Sequence, residues 1–258
     1  ISLRMNDLVY SEGISDFKKS LLDQLKDIYE KYDLKVETDD SKTAFKNLIH
    51  KLSKKEKVVL LIDEYDKPII EYLESPELAK EMRGILRNFY ETIKANDEYI
   101  HFAFLTGVSK FSKTSIFSTL NNLTDITMDE KYSKIIGIDE TQLYSYFDGY
   151  LKLLAEKNNK TVEEIKKVIK DWYNGYSWDG KNFLYNPYSL LLLFENMDIK
   201  NYWFKTGTPT FLIKTINDYN IDITSLENIV LTEEDFESYE VDAMNVYALL
   251  FQTGYLTI

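Results

Sequence analysis

The sequence predicts a three-layer α/β domain built on a parallel sheet and followed by a mainly helical region, and three observations carry this. The continuous apolar run 58–62, bounded by charges on both sides, has the pattern of a strand buried on both faces of a parallel sheet, and 100–105 reads as a second buried strand. Segments with apolar residues at helical spacing precede, separate and follow them. From about Asp139 the strand signals give way to helix signals. Strand alternating with helix is the grammar of an α/β layer fold, and the change of grammar sets the expected boundary, 1–138 and 139–258.

Taken in order, Ile1-Ser2-Leu3 opens the chain as a strand. Phe17, Leu21, Leu25, Ile28 and Tyr32 then fall on one helical face behind a Ser15 or Asp16 cap. Phe45, Leu48, Ile49 and Leu52 mark a second helix, and Lys54 to Lys57 a solvated turn. The run 58–62 is the first buried strand. Ser75 and Pro76 start the next helix as cap and first residue, and Leu78, Met82, Ile85, Phe89 and Ile93 form its apolar stripe. The run 100–105 is the second buried strand, and 134–138 reads as a shorter third.

The helical part begins with Leu143, Phe147, Tyr150, Leu151 and Leu154 as one stripe. Thr161 and Glu164 have capping-box spacing ahead of Ile165, Val168, Ile169 and Trp172. Residues 176–178 and 183–185 flank Asp179-Gly180 as a hairpin. Asn186-Pro187 caps a helix through Leu190 and Phe194, and the chain ends in short helices, loops and an apolar stretch, 248–258.

Composition removes several function classes. No cysteine occurs among the 258 residues, which excludes a disulfide framework, a thiolate nucleophile and a cysteine-ligated zinc. His50 and His101 stand apart, each without metal-ligand spacing. The formal net charge is −12 and only Arg4, Arg83 and Arg87 are arginines, so strong nucleic-acid binding is not expected. No apolar run is long enough to span a bilayer and no signal peptide opens the chain; a cytoplasmic protein is the expectation. A chain starting at Ile1, already in strand pattern, is expected to be a fragment of something longer.

The strongest motif is the strand 58–62 followed by Asp63-Glu64. In a parallel α/β sheet the carboxyl ends of strands face the ligand crevice. An acid there can hold a hydrated magnesium ion, and the acid beside it can orient or deprotonate a water, the Walker B arrangement. A solvated loop start, with Asp66 as a cap on the segment after it, accounts for the same residues. The second candidate is the end of the next strand. There Thr106 or Ser109 could bond an attacking water and Lys110 could meet phosphate charge, as a nucleotide sensor. An ordinary strand-to-helix turn with Gly107 for backbone freedom is the bland alternative. Arg83 and Arg87, one helical turn apart, are candidate arginine fingers or interface residues, with ion pairs to Glu81 or Glu91 as the competing role. The aromatic residues of 172–178 could stack on a base, but in a chain with 20 tyrosines packing explains them. Neither Gly-x-x-x-x-Gly-Lys-Ser/Thr nor Gly-x-Ser-x-Gly occurs.

Together these segments resemble the bacterial AAA-ATPase-like family, P-loop NTPases close to the STAND and archaeal ATPases. The matching stretches begin with Leu60-Leu61-Ile62-Asp63-Glu64-Tyr65-Asp66-Lys67-Pro68 and Phe104-Leu105-Thr106-Gly107-Val108-Ser109-Lys110-Phe111-Ser112. They continue with Ser115-Ile116-Phe117-Ser118, Leu120-Asn121-Asn122-Leu123, Trp172-Tyr173-Asn174-Gly175-Tyr176 and Tyr185-Asn186-Pro187-Tyr188-Ser189-Leu190-Leu191. Tyr202-Trp203-Phe204-Lys205-Thr206-Gly207-Thr208-Pro209 and residues 249–258 complete the set. The resemblance implies an incomplete P-loop NTPase sheet followed by a helical lid and winged-helix-like region. It makes Asp63 the magnesium acid and Glu64 the catalytic acid, Thr106 to Lys110 a sensor loop, and Asn186-Pro187 a lid motif over the nucleotide.

The same resemblance implies ATP and Mg2+ as cofactors of the full-length protein, with weak or no binding by this chain alone, since the Walker A loop is missing. The implied partners are an N-terminal P-loop segment, a C-terminal PD-(D/E)XK nuclease-like domain and a candidate second copy. Without the Walker A strand, the edge next to 100–105 is expected to be covered by another chain or a shifted segment. The function expected is that of a regulatory ATPase core, inactive alone. The alternatives are a non-catalytic protein–protein interaction module with vestigial ATPase residues and, with little support, a nuclease pattern through Glu12, Asp63 and Lys67.

Overall fold

Val58–Asp63 (β2) is the middle strand of a three-stranded parallel sheet, flanked by Ser2–Arg4 (β1) and Ile100–Leu105 (β3). The structure, a computed structural model, describes residues 1–10, 13–72, 75–107, 120–202, 230–231, 246–252, 254 and 256–257. Register pairs Leu3 with Ile62, and Leu60, Leu61 and Ile62 with Ala103, Phe104 and Leu105. The first ladder bonds run from the Ile1 amine to the Val59 carbonyl at 2.8 Å and from the Leu61 amide to the Ile1 carbonyl at 2.9 Å.

Helices Ile14–Lys31 (α1), Ser41–Ser53 (α2), Lys67–Ile70 (α3) and Pro76–Ala95 (α4) connect these strands. Their apolar stripes meet one face of the sheet. Leu3, Leu60 and Ile62 share a core with Phe17, Leu21 and Leu25 of α1, Phe45 and Leu48 of α2, and Met82, Leu86 and Phe89 of α4. Each such buried side chain contributes roughly 1.5–3 kcal/mol relative to exposure. Aromatic stacking ties α2 to α4, with the Phe45 and Phe89 rings 4.8 Å apart. Asp40 caps α2 by accepting from the Thr43 amide at 2.8 Å, while α1 starts from Gly13 at φ 93° rather than from a Ser15 or Asp16 cap.

The two apolar runs are not buried on both faces. Val58, Leu60 and Ile62 are buried, but Val59 and Leu61 are 41% and 44% exposed, and Phe102 beside them is 52% exposed. Among the described residues the sheet therefore has helices on one face only. The physical reason for the difference is that an unbroken apolar run carries no alternation from which a one-sided strand could be recognised. β3 is the outer strand, bonded on one side to β2, and no described strand pairs with its other edge.

The chain divides into two compact units. The first holds the described residues up to Thr124 and those of 230–252, including the helix Val246–Gln252 with its buried Ala248, Leu250 and Phe251. The second holds the described residues from Asp125 to Tyr202 and from 254 on. It packs Glu140–Tyr146 (α5), Asp148–Lys157 (α6), Val162–Tyr173 (α7) and Pro187–Asn196 (α8) with the hairpin Asn174–Ser177 (β4) and Phe183–Tyr185 (β5). Thr161 and Glu164 form the capping box of α7. Asn186 caps α8, accepting from the Ser189 amide at 3.0 Å.

Three expectations fail in this unit. Residues 134–138 are not a strand: Gly137 sits at φ 131° and breaks the extended run. Ile135 and Ile136 turn to solvent, and only Ile138 bridges to Tyr185. The stripe from Leu143 to Leu154 breaks at Phe147 into α5 and α6, leaving Tyr150 exposed, and Trp172 gives its place in the α7 core to Tyr173. No helix among the described residues is long and apolar enough to cross a membrane.

Candidate functional site

The carboxyl ends of β2 and β3 lie side by side because the two strands are parallel neighbours, and this joins the two strongest sequence motifs. The Thr106 amide donates to the Ile62 carbonyl at 2.9 Å, and the Tyr65 amide donates to the Thr106 carbonyl at 2.9 Å. Across this seam the Thr106 hydroxyl donates to Asp63 Oδ1 at 2.6 Å. The same oxygen accepts from the Glu64 amide at 3.1 Å. Asp63 is exposed, and among the described residues its Oδ2 has no protein partner.

Glu64 comes next in the chain, in the left-handed region at φ 52°. Its carboxylate makes no hydrogen bond or ion pair among the described residues, and it is half-buried. That burial, and secondly the charge of Asp63, push its carboxyl above the ordinary glutamate range, with Lys67 opposing the shift. Lys67 itself pairs with Glu71 one turn along.

Behind the two acids the turn is tightly packed. Asp66 is fully buried, and a Cβ on Gly107 would come within 2.5 Å of the Tyr65 ring and 2.6 Å of Asp66 Oδ1. Gly107 is thus required by close approach to the acid turn rather than by backbone freedom. Tyr90, fully buried on α4, donates its hydroxyl to the Tyr65 carbonyl at 3.1 Å. Sequence reading gave Asp66 only as a cap, a bond its side chain does not make, and assigned no role here to Tyr65 or Tyr90. Tyr90 had no signal beyond its place near the apolar stripe of α4.

The other candidates fall elsewhere or outside view. Ser109 and Lys110 lie outside the described residues, as does Glu12. Arg87 pairs with Glu91 on the exposed side of α4, Nε to Oε1 at 3.7 Å. Arg83 is half-buried, and its Nε has no hydrogen-bond partner among the described residues. Neither arginine makes an ion pair with Asp63 or Glu64 among the described residues. Asn186 and Pro187 belong to the second unit, where they form the start of α8. His50 bonds Asn96 at 2.6 Å and packs on Tyr99, a structural role.

Among the described residues no three His, Cys, Asp or Glu side chains are grouped to enclose an ion. A single exposed carboxylate with one unpaired oxygen fits magnesium, which keeps most of its waters and takes one or two carboxylates plus phosphates.

Residues 1–117 match the model of the AAA-ATPase-like family, described as a predicted AAA-ATPase. A protein of Azotobacter chroococcum mcd 1, named as an uncharacterized protein in the vnfD 5'region, is 45% identical over 203 residues. That alignment covers 79% of this chain and 37% of the relative, so the chain spans little more than a third of that protein's length. No solved structure matches the chain at a significant level.

Proposed function

We propose that the carboxyl ends of β2 and β3 form the magnesium and water-activating half of an ATP site, in a regulatory ATPase of the STAND-like kind. The observation that supports this most directly is the pairing of Asp63 and Glu64 in consecutive positions with different environments. Asp63 is exposed, oriented by the Thr106 hydroxyl and left with one oxygen available. Glu64 is half-buried, and burial, followed by the charge of Asp63, raises its carboxyl above the ordinary glutamate range. Two adjacent acids driven apart in character divide the labour of metal holding and proton abstraction. The match of residues 1–117 to an AAA-ATPase-like model supports the same reading.

In this reading Asp63 would hold hydrated Mg2+ through its unpaired oxygen, and Thr106 holds the other oxygen so that the carboxylate does not rotate. Bound magnesium would neutralise charge on the transferred phosphoryl group. Glu64 accepts the proton of the attacking water. Thr106 therefore acts by orienting Asp63. Contact with the γ-phosphate, as in a sensor, is proposed for the Ser109 and Lys110 segment.

These 258 residues contain no Gly-x-x-x-x-Gly-Lys-Ser/Thr cradle. The chain by itself is accordingly proposed to bind ATP weakly or not at all, with the phosphate loop supplied elsewhere in the full-length protein. The second unit, with Asn186-Pro187 at the start of α8, is proposed as the lid. A nuclease-like effector domain and a second copy remain the proposed partners, in the cytoplasm.

One observation favours a second reading, an interaction module with vestigial ATPase residues. Val59, Leu61 and Phe102 expose an apolar sheet face, which a binding partner could cover. Steady-state ATP hydrolysis by the full-length protein separates the two. The ATPase reading expects Glu64→Gln to abolish turnover, by at least about a hundredfold, while ATP stays bound. A full-length protein that neither binds nor hydrolyses ATP with magnesium leaves the interaction module as the better account.

A further inference from the structure

Glu64 is the place where the site stores backbone strain. A non-glycine residue in the left-handed region is strained, and such a conformation persists only where the surroundings over-determine it. The constraints around Glu64 can be named. Its amide donates to Asp63 Oδ1 at 3.1 Å, and its carbonyl accepts from the Lys67 amide at 2.9 Å. The next residue, Tyr65, is pinned from both sides. Its amide donates to the Thr106 carbonyl at 2.9 Å and its carbonyl accepts from the Tyr90 hydroxyl at 3.1 Å.

The Tyr90 contact differs from the others in its origin. The others come from the acid turn and the neighbouring strand, whereas Tyr90 reaches the turn from the C-terminal part of α4, through the core. Its ring is fixed there edge-on to Phe89, with centroids 5.6 Å apart, and the residue is fully buried. Burial, and then the carboxylate of Asp66, hold its hydroxyl protonated well above the ordinary tyrosine range, so it stays a donor. On the far side of the turn the Tyr65 ring lies against Gly107, which leaves no room for the residue to shift toward β3.

We infer that Tyr90 is a positioning residue for Glu64: by holding the Tyr65 carbonyl from the core, it fixes the left-handed backbone from which the Glu64 carboxylate projects. The catalytic consequence rests on the ATPase reading above, but the clamp itself does not. Removing the hydroxyl should leave binding of nucleotide intact and loosen the step in which Glu64 acts.

The test is Tyr90→Phe in the full-length protein, which keeps the ring and its packing. Hydrogen–deuterium exchange by mass spectrometry is read on peptides covering 63–67, alongside steady-state ATP hydrolysis. Exchange in 63–67 is expected to rise about tenfold, the effect of losing one neutral hydrogen bond, with the peptides of α2 unchanged. Turnover is expected to fall about five- to tenfold with the KM for ATP within about twofold of wild type. Glu64→Gln, run in parallel, should lose turnover with no rise of exchange in 63–67. Unchanged exchange in Tyr90→Phe overturns the inference, and so does a rise spread over the whole first unit, which would make Tyr90 merely structural. Faster local exchange with normal turnover, or a change confined to KM, overturns the positioning role. A wild-type protein that hydrolyses no ATP defeats the ATPase reading and with it the catalytic role, and the exchange data then decide the clamp alone.

Discussion

The Thr106 hydroxyl lies 2.6 Å from Asp63 Oδ1 and donates to it, joining the ends of two neighbouring parallel strands. One oxygen of the carboxylate is thereby held, and the other has no protein partner among the described residues. Thr106→Val keeps the shape and removes the donor. In the full-length protein it should weaken magnesium-dependent ATP turnover by about tenfold, while Thr106→Ser keeps most of it. Because the contact is exposed, the melting temperature should move little in either variant.

Gly107 sits where a methyl group would meet the Tyr65 ring at 2.5 Å and Asp66 Oδ1 at 2.6 Å. A buried carboxylate and a packed ring cannot both yield. Gly107→Ala should cost about 1–3 kcal/mol, seen as a lower urea midpoint with an unchanged slope. A variant as stable as wild type would show that the acid turn is softer than this packing implies.

The one-sided sheet makes a paired forecast. Leu60 is fully buried and Phe102 is 52% exposed. Leu60→Ala should lose about 2–5 kcal/mol, whereas Phe102→Thr should stay within about 0.5 kcal/mol of wild type. Thermal or urea unfolding of the two variants checks this directly. A large loss at Phe102 would mean that its face is covered in solution.

Glu64 gives a pH dependence whose sign is fixed by its raised carboxyl. The folded state then holds the proton more tightly than the unfolded state. Stability falls as pH rises from the ordinary glutamate value through the raised one. Glu64→Gln lacks this loss. Its melting temperature should therefore match wild type in acid and exceed it near neutrality, as read from melts across that range.

Asp179 gives the opposite sign. Its Oδ1 accepts from the Lys181 amide at 2.9 Å and the Asn182 amide at 2.8 Å, and its Oδ2 from Asn182 Nδ2 at 2.6 Å. Those bonds, the Asn182 amide foremost, hold its carboxyl well below the usual range. The stabilisation is present above the ordinary aspartate value and lost as pH falls through the lowered one. Asp179→Asn should be less stable than wild type at neutral pH and converge on it in acid, measured by the same melts.

What the sequence disclosed depended on how local each signal was. The strand 58–62 and its terminal acids, the α7 capping box and the Asn186 cap were legible because each is written in a handful of consecutive residues. The link from Thr106 to Asp63 was not, since it depends on which strands are neighbours. Left-handed Glu64 carries no residue-type signal, because glutamate is not a usual occupant of that region. Residues 134–138 misled for the converse reason: two isoleucines suggest a strand, but Gly137 at φ 131° turns the chain away. The bare face of β2 could not be seen in a run with no polar residue to mark it.

The most direct test of the ATP-site account is calorimetric titration of ATP into the full-length protein, wild type and Asp63→Asn, with and without Mg2+. The account predicts wild-type binding that strengthens with magnesium, and an Asp63→Asn protein in which that magnesium-dependent gain is reduced by at least about tenfold. Equal affinities in the two proteins, unaffected by magnesium, would contradict it.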